Sequence, residues 1–374
     1  MEPTTLEEVR QAASRVDAVC LLAPIPTPEN LGDGYIRRID TIDNTILKSF
    51  VRIYLMGDRP DLRRIQAEKE DERRYFLQFD SRSCWQRRQI FDLIRRSGRL
   101  YIHSVYRFVA GPVSRRLLKV LDLPGIRVVW DVHGAVPEEI EQTGDIPITL
   151  RAAEAEKRLY QKSSDIVCVT MAMEEHLRGK YGETRARMRL LPILPDMTRT
   201  DPADPPPASG KPTVVYAGGL QGWQCVDAMI QLIDKTWDRY DYRFYTSDPD
   251  ALMARWGPGE GKNHITAASI PPEEMDRAYR GCQYGLLLRE NSPINAVACP
   301  TKLMEYIVHG IVPVLKSTAV GDVEAMGLGY ITLDALKNGR LLSEAERRTT
   351  AENNLAILRK TAEGIWRQAD TIMI

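Results

Sequence analysis

The sequence predicts an α/β protein made of two doubly wound domains. Residues 1–195 alternate short apolar runs of strand length with amphipathic stretches, and residues 213–355 repeat the alternation. Between them Pro192 to Pro212, with Asp204-Pro205-Pro206-Pro207, suits neither a helix nor a central strand. The expected organisation is therefore a first domain over 1–195, a linker over 196–212 and a second domain over 213–355. A C-terminal helix over 356–374 is long enough to pack back on the first domain.

In the first half, Ala18–Ala23, Val51–Met56, Arg74–Phe79, Leu100–Val105, Ile126–Val132 and Ile166–Thr170 are rich in β-branched and aromatic residues, as buried parallel strands require. Ser83–Arg96, Val113–Leu121 and Leu150–Lys162 carry helical spacing between them. In the second half the strands fall at Thr213–Ala217, Tyr242–Tyr245, Ile265–Ala267, Tyr284–Leu288 and Val312–Leu315. Helices are expected at Val226–Trp237, Pro272–Arg280, Lys302–His309 and Ser343–Ala369. Open parallel sheets bind ligands beyond the carboxyl ends of their strands.

Composition excludes several classes. Of 374 residues, 43% are hydrophobic and 27% charged, which is ordinary for a folded protein. No apolar run approaches the ~18 residues of a membrane span, and Met1 to Arg10 is too acidic for a secretory signal. Six cysteines are scattered without a CxxC pair, which fits reduced thiols in a cytosol. The 51 basic residues balance 51 acidic ones, against a general nucleic-acid binder. The balance is uneven: residues 59–127 hold 17 Lys+Arg against 8 Asp+Glu. Such a segment reads either as solvated helix faces or as a basic face for anionic lipid heads or an acidic acceptor.

The richest stretch for chemistry runs from Tyr284 to Leu315. A strand leads into Arg289-Glu290-Asn291, and Pro300-Thr301 then reads as a helix start with Thr301 as N-cap. Gly310 closes that helix. A helix N-terminus offers unpaired N–H groups and a positive dipole end, and Lys302 and Arg289 add charge beside it. Together they make a candidate diphosphate site without a glycine-rich loop. Glu305, on the first turn, can accept two ribose hydroxyls. The alternative is a capping Glu305 and a solvated Lys302.

This run, PTKLMEYIVHGIVPV, resembles the donor-site segment of family 4 glycosyltransferases. The resemblance implies the GT-B fold, two Rossmann-like domains facing across a cleft. It further implies that Glu305 binds the donor ribose, that Thr301 and Lys302 lie by the diphosphate, and that Arg289 is the basic residue of some relatives. Two positions depart from the pattern. The first Glu of the family, eight residues before Glu305, is Val297, with Asn291 and Asn295 as nearby polar substitutes at the donor sugar. After the strand at Tyr216-Ala217, Gly218-Gly219 matches the glycine turn, but Gln221 and Gln224 stand where basic residues belong. Glutamine can donate hydrogen bonds to phosphate but brings no charge.

In the first domain, Trp130-Asp131-Val132-His133-Gly134 ends a strand, with Glu138 and Glu139 following. His133 resembles the family histidine that faces the donor sugar and the leaving phosphate. The loop Pro26 to Arg38, with Gly32-Asp33-Gly34, resembles the glycine loop near the acceptor. Asp248-Pro249-Asp250 reads as a helix cap and not a metal-binding DxD, and Gly257 to Lys262 lacks phosphate-loop spacing. His103, His176, His264 and His309 stand alone in the sequence and read as structural.

The function that follows is transfer of a sugar from a nucleotide-sugar donor to a glycan or lipid-linked acceptor, in cell-surface polysaccharide biosynthesis. By resemblance it retains anomeric configuration, and no metal or other cofactor is expected. The catalytic set is His133, Arg289 and Lys302. The protein is expected in the cytoplasm, peripheral to the inner membrane face. The competing readings are a non-catalytic GT-B relative that acts as a scaffold and a GT-B nucleotide-sugar epimerase.

Overall fold

The computed structural model describes residues 1–27, 29–31, 33–109, 115–195 and 210–369. The chain divides into two compact units: Met1–Pro192 with the chain end from Ile365, and Ile193–Gly364. Most of the expected linker lies outside the described residues.

Among the described residues the first unit holds a nine-stranded sheet. Its strands are β1 (Glu2–Pro3), β2 (Ala18–Leu22), β3 (Val51–Met56), β4 (Gln66–Lys69), β5 (Arg74–Gln78), β6 (Arg99–His103), β7 (Arg127–Val132), β8 (Asp165–Cys168) and β9 (Arg187–Leu190). They lie in the order β1-β4-β5-β3-β2-β6-β7-β8-β9. From β5 to β9 all pairs are parallel, and β4 and β1 add an antiparallel edge. The register sets His103 opposite Asp131 across β6 and β7.

The second unit holds a parallel six-stranded sheet of β10 (Thr213–Ala217), β11 (Asp241–Tyr245), β12 (Ile265–Ala268), β13 (Tyr284–Leu287), β14 (Val312–Leu315) and β15 (Ile331–Thr332). Its order is β12-β11-β10-β13-β14-β15. In the parallel part of each sheet the strand order reverses once, between β2 and β6 and between β10 and β13. Those reversals are the topological switch points at which doubly wound sheets bind ligands. The second core packs Val214, Tyr216, Phe244, Leu286, Val312 and Val314 against Met229 and Ile233 of the helix Val226–Thr236.

The expected strands are all present. Four short edge or near-edge strands, β1, β4, β9 and β15, lack an apolar run: β4 is Gln-Ala-Glu-Lys, only partly covered, and β9 carries two arginines. Three expectations need correction. Residues 115–122 form a 3-10 helix, and Val113 lies outside the described residues. Pro272–Glu274 is likewise 3-10 before the helix Met275–Tyr279. The end of the expected acceptor loop is helix: Gly34–Asn44 is helical with Asp33 as its N-cap, and Asp33 Oδ1 accepts from Tyr35 N at 2.8 Å. Gly32 lies outside the described residues.

No helix of the described residues is long and apolar enough to cross a membrane. The long final helix Glu344–Ala369 buries Ala351, Leu355, Leu358 and Ala362, a one-sided stripe that explains its length without a membrane.

Candidate functional site

At the switch point of the second unit, β10 runs into Gly218 and β13 into Arg289. The helix Thr301–Val308 packs on the sheet between them because Gly285 has no side chain. A Cβ there would fall 2.4 Å from the Tyr306 ring. Pro300 is the N-cap, and Thr301 is the first helical residue, not the cap expected from the sequence. Leu303 N already donates to Pro300 O, so only the N–H groups of Thr301 and Lys302 remain for a ligand. Glu305 sits at the start of the second turn, not in the first.

Lys302 is buried. Its Nζ donates to Gln224 Oε1 at 2.9 Å and lies 4.3 Å from the centroid of the Tyr216 ring. Burial, helped by the charge of Arg289, pushes this ammonium down to about 7. Gly218 accommodates it: its φ is +151°, and a Cβ would lie 2.5 Å from Nζ. Arg289 is also largely buried, and burial lowers its pKa. Its Nη1 donates to Asn295 Oδ1 at 3.2 Å, whereas its buried Nε has no partner. Neither cation has an ion-pair partner among the described residues. Glu305 is half-buried, and its Oε2 accepts from Tyr279 OH at 2.9 Å.

The remaining predicted donor residues divide. Gln224 is buried on Lys302, whereas Gln221 is exposed with its side chain against Gly219. Asn291 is exposed. Asn295 is 2% exposed and donates to Glu290 O at 2.9 Å, so it holds Arg289 and the loop. Val297 is buried.

The switch point of the first unit is built around Asp131, which is fully buried. Arg38 grips it with Nη2 to Oδ1 at 3.0 Å and Nε to Oδ2 at 3.2 Å. Tyr101 OH donates to Oδ2 at 3.1 Å. Burial opposes the charge on Asp131, but Arg38, with the two neighbouring histidines, holds its carboxyl well below the usual range. His133 Nε2 lies 3.4 Å from Asp131 Oδ2, and its side chain is 11% exposed. The Tyr35 ring packs on it at 5.1 Å between centroids.

His103, isolated in the sequence, stands beside His133, with Nδ1 3.4 Å from His133 Nε2. Burial drives its pKa down to about 3, so it is a neutral ring. The sequence missed His103 and Arg38 because their partner lies on another strand. Their only legible signal was the placement of His103 at a strand end.

His103, Asp131 and His133 bring three metal-ligand atoms within 4.8 Å of one another. They do not suit a cation: Arg38 already neutralises the carboxylate, and both lone pairs of Oδ2 are engaged. Glu138 and Glu139 part company. Glu138 accepts from Lys180 at 2.8 Å beside His176, contacts that hold it at about 2 against the effect of burial. Glu139 lies against Gly134, accepts from Tyr106 OH at 3.1 Å and is raised by burial.

The basic segment is partly neutralised by carboxylates outside it. Arg74 pairs with Asp43, Arg127 with Asp165 and Arg115 with Glu154. Arg63, Arg64, Arg82, Arg88 and Arg95 remain exposed. Asp248 caps the helix Pro249–Arg255 by accepting from Ala251 N at 2.8 Å.

Two Rossmann-like sheets with polar switch points define the class: the chain has the GT-B fold of nucleotide-sugar glycosyltransferases. Residues 50–196 match the family described as Glycosyltransferase Family 4. This bears out the resemblance read from residues 300–314, from a different part of the chain. Among solved structures, sucrose-phosphate synthase from Thermosynechococcus elongatus is 12% identical, with a TM-score of 0.64 over 95% of this chain and 98% of that one. HepE of Anabaena, solved with UDP-glucose, is 14% identical, with a TM-score of 0.65 over 94% and 98%. The lipopolysaccharide outer core galactosyltransferase WaaB is 11% identical, with a TM-score of 0.64 over 94% and 97%. Similarity at this identity bears out the fold alone. No curated protein sequence matches the chain.

Proposed function

We propose that this protein is a glycosyltransferase that moves a hexosyl group from a nucleotide sugar to a glycan or lipid-linked acceptor. The observation that carries the reading is the pair of cations at the second switch point, buried Lys302 and partly buried Arg289. Lys302 and Arg289 lie beside a helix N-terminus with no carboxylate in an ion pair with them among the described residues. A buried, uncompensated charge is costly unless a ligand completes it, and a nucleoside diphosphate is such a ligand.

In this reading Lys302, Arg289 and the N–H groups of Thr301 and Lys302 stabilise the charge that grows on the leaving diphosphate. These cations take the part a divalent ion plays elsewhere, so we propose metal-independent transfer. Glu305, fixed by Tyr279, accepts the ribose hydroxyls. His133 meets the donor sugar, and retention of configuration is proposed by family resemblance. The acceptor, a role in polysaccharide synthesis and a peripheral place at the inner membrane face rest on the exposed arginines of the first unit. Binding to anionic liposomes at low salt tests that part, and indifference to them removes it.

The primary test is a calorimetric screen of UDP, GDP, ADP, CMP and dTDP sugars with and without magnesium. One nucleotide is expected to bind equally under both conditions and at least tenfold more weakly to Glu305→Ala. Val297, in place of the family Glu, favours a second reading, a non-catalytic scaffold. Binding of no nucleotide would put that reading first.

A further inference from the structure

The arginines of the first unit fall into two sets. Toward the amino ends of the strands they are answered: Arg52 and Arg74 pair with Asp43, and Arg127, Arg187 and Arg189 with Asp165. The second set lies past the carboxyl ends of β3 and β5, in the loops 57–65 and 79–83 and the start of the helix Cys84–Ser97. There Arg63, Arg64, Arg82 and Arg88 are exposed and make no ion pair among the described residues.

One buried side chain holds this second set together. Gln86, 1% exposed, accepts from Asp80 N and donates to Leu62 O, both at 2.9 Å, so the loop carrying Arg63 and Arg64 is strapped to the first turn of the helix. Arg87 Nη1 donates to Ser81 O at 2.8 Å and to Arg82 O at 2.6 Å, which fixes the backbone at Arg82. The carboxylates nearby are engaged. Arg59 grips Asp61 through Nε and Nη2 and also feels Asp58, and Asp80 Oδ1 accepts from Arg82 N. Counted whole, residues 57–65 and 79–88 hold six arginines against three aspartates. The first turn of the helix has no acidic residue, so its positive dipole end adds to the charge.

Within this basic rim Trp85 is 53% exposed, three residues before Arg88 and so on the same helix face. A tryptophan held out in water beside such guanidinium groups suits an interface that is apolar on one side and anionic on the other. Guanidinium groups only donate hydrogen bonds. A layer of lipid phosphates offers acceptors, whereas a hydroxyl-rich glycan also needs acceptors from the protein. The exposed apolar pair Ile146 at 69% and Leu150 at 66% has exposed Glu141 and Asp145 beside it, which an anionic surface repels.

We infer that Trp85, ringed by Arg63, Arg64, Arg82 and Arg88, is the point at which the first unit docks on an anionic lipid surface. The indole enters the headgroup layer, and the arginines meet lipid phosphates. These loops follow the carboxyl ends of parallel strands, as His133 does after β7, so the docked end is the one that carries the first switch point. The inference rests on the membrane part of the proposed function and is independent of glycosyl transfer.

The test is co-sedimentation of the full chain with vesicles of phosphatidylcholine alone, and of two parts phosphatidylcholine to one part phosphatidylglycerol, at low and high salt. The parent is expected to bind only the anionic vesicles and to leave them at high salt. Trp85→Ala is expected to weaken binding by about tenfold. Arg63→Gln, Arg64→Gln, Arg82→Gln and Arg88→Gln together are expected to weaken it by on the order of 100-fold. Removing as many charges from exposed Arg277, Arg280, Lys337 and Lys360 of the second unit is expected to change little. Lipids brominated along the acyl chain are expected to quench the tryptophan fluorescence of the parent more than that of Trp85→Phe. Unaltered binding in either patch variant, an equal loss in the second-unit variant, or loss in Ile146→Asp with Leu150→Asp but not in Trp85→Ala would overturn the inference alone. Preference for dextran sulfate over the anionic vesicles would overturn it in favour of an acidic glycan. Absence of parent binding to the anionic vesicles would overturn it together with the membrane part of the proposed function.

Discussion

The two switch points are built from the same topology and handle charge in opposite ways. In the first unit the buried ion is an anion, Asp131, and the fold itself answers it with the Arg38 fork. Beside that pair stands the His133 imidazole, 3.4 Å from Asp131 Oδ2. In the second unit the ions are cations, buried Lys302 and partly buried Arg289, and their hydrogen-bond and ring partners among the described residues are neutral: Gln224, Asn295 and the Tyr216 ring. The first switch point answers its buried charge from within the fold, whereas the second pairs its cations with no carboxylate among the described residues.

Breaking the internal pair of the first unit should cost the most. Arg38→Met leaves Asp131 buried without its partner, and unfolding in urea should show a loss of about 3–5 kcal/mol. The double variant Arg38→Met with Asp131→Asn should recover much of it, because the buried charge is then gone. If both cost the same, the pair is not the reason for the stability.

In the second unit the opposite outcome is expected. Lys302→Met removes a buried charge the fold leaves unanswered, so the Tm of the unliganded protein should not fall, whereas calorimetry should show nucleotide affinity at least ~30-fold weaker, about 2 kcal/mol. A lowered Tm with unchanged affinity would mean that Lys302 is structural.

The same lysine predicts a pH dependence. Lys302 titrates at about 7 when the site is empty, and a bound diphosphate favours its charged form. Binding above that pH should therefore take up a proton, and affinity should fall as pH rises from 7 to 9. Calorimetry in buffers of different ionisation enthalpy reads the uptake directly, and a flat profile would refute it.

The smallest effect belongs to Gly218→Ala, which meets a φ of +151° and Lys302 Nζ at 2.5 Å. A stability loss of about 1 kcal/mol is expected, with a several-fold weaker nucleotide affinity as Lys302 is displaced.

The second site was more legible in the sequence than the first. Lys302, Glu305 and Arg289 lie within a stretch of residues 289–305 that one strand-to-helix junction brings together, so local patterning exposed them. Asn295 read as a sugar contact because its polar side chain gave no hint that Arg289 would claim it. In the first unit, Arg38, His103 and Asp131 lie on three different elements. Glu138 and Glu139 are adjacent in sequence, yet their side chains go to different partners. The basic segment likewise looked more cationic than its surface is, because Asp43, Glu154 and Asp165 lie outside the window that was counted.

The sequence by itself determined the two α/β halves, because alternation of apolar strands and amphipathic helices is a local property of the chain. It also marked the donor helix and its charges. Only the tertiary structure decided which charges are answered. Whether a buried ion is neutralised depends on atoms within about 3–4 Å. In a parallel sheet those atoms come from strands far apart along the chain.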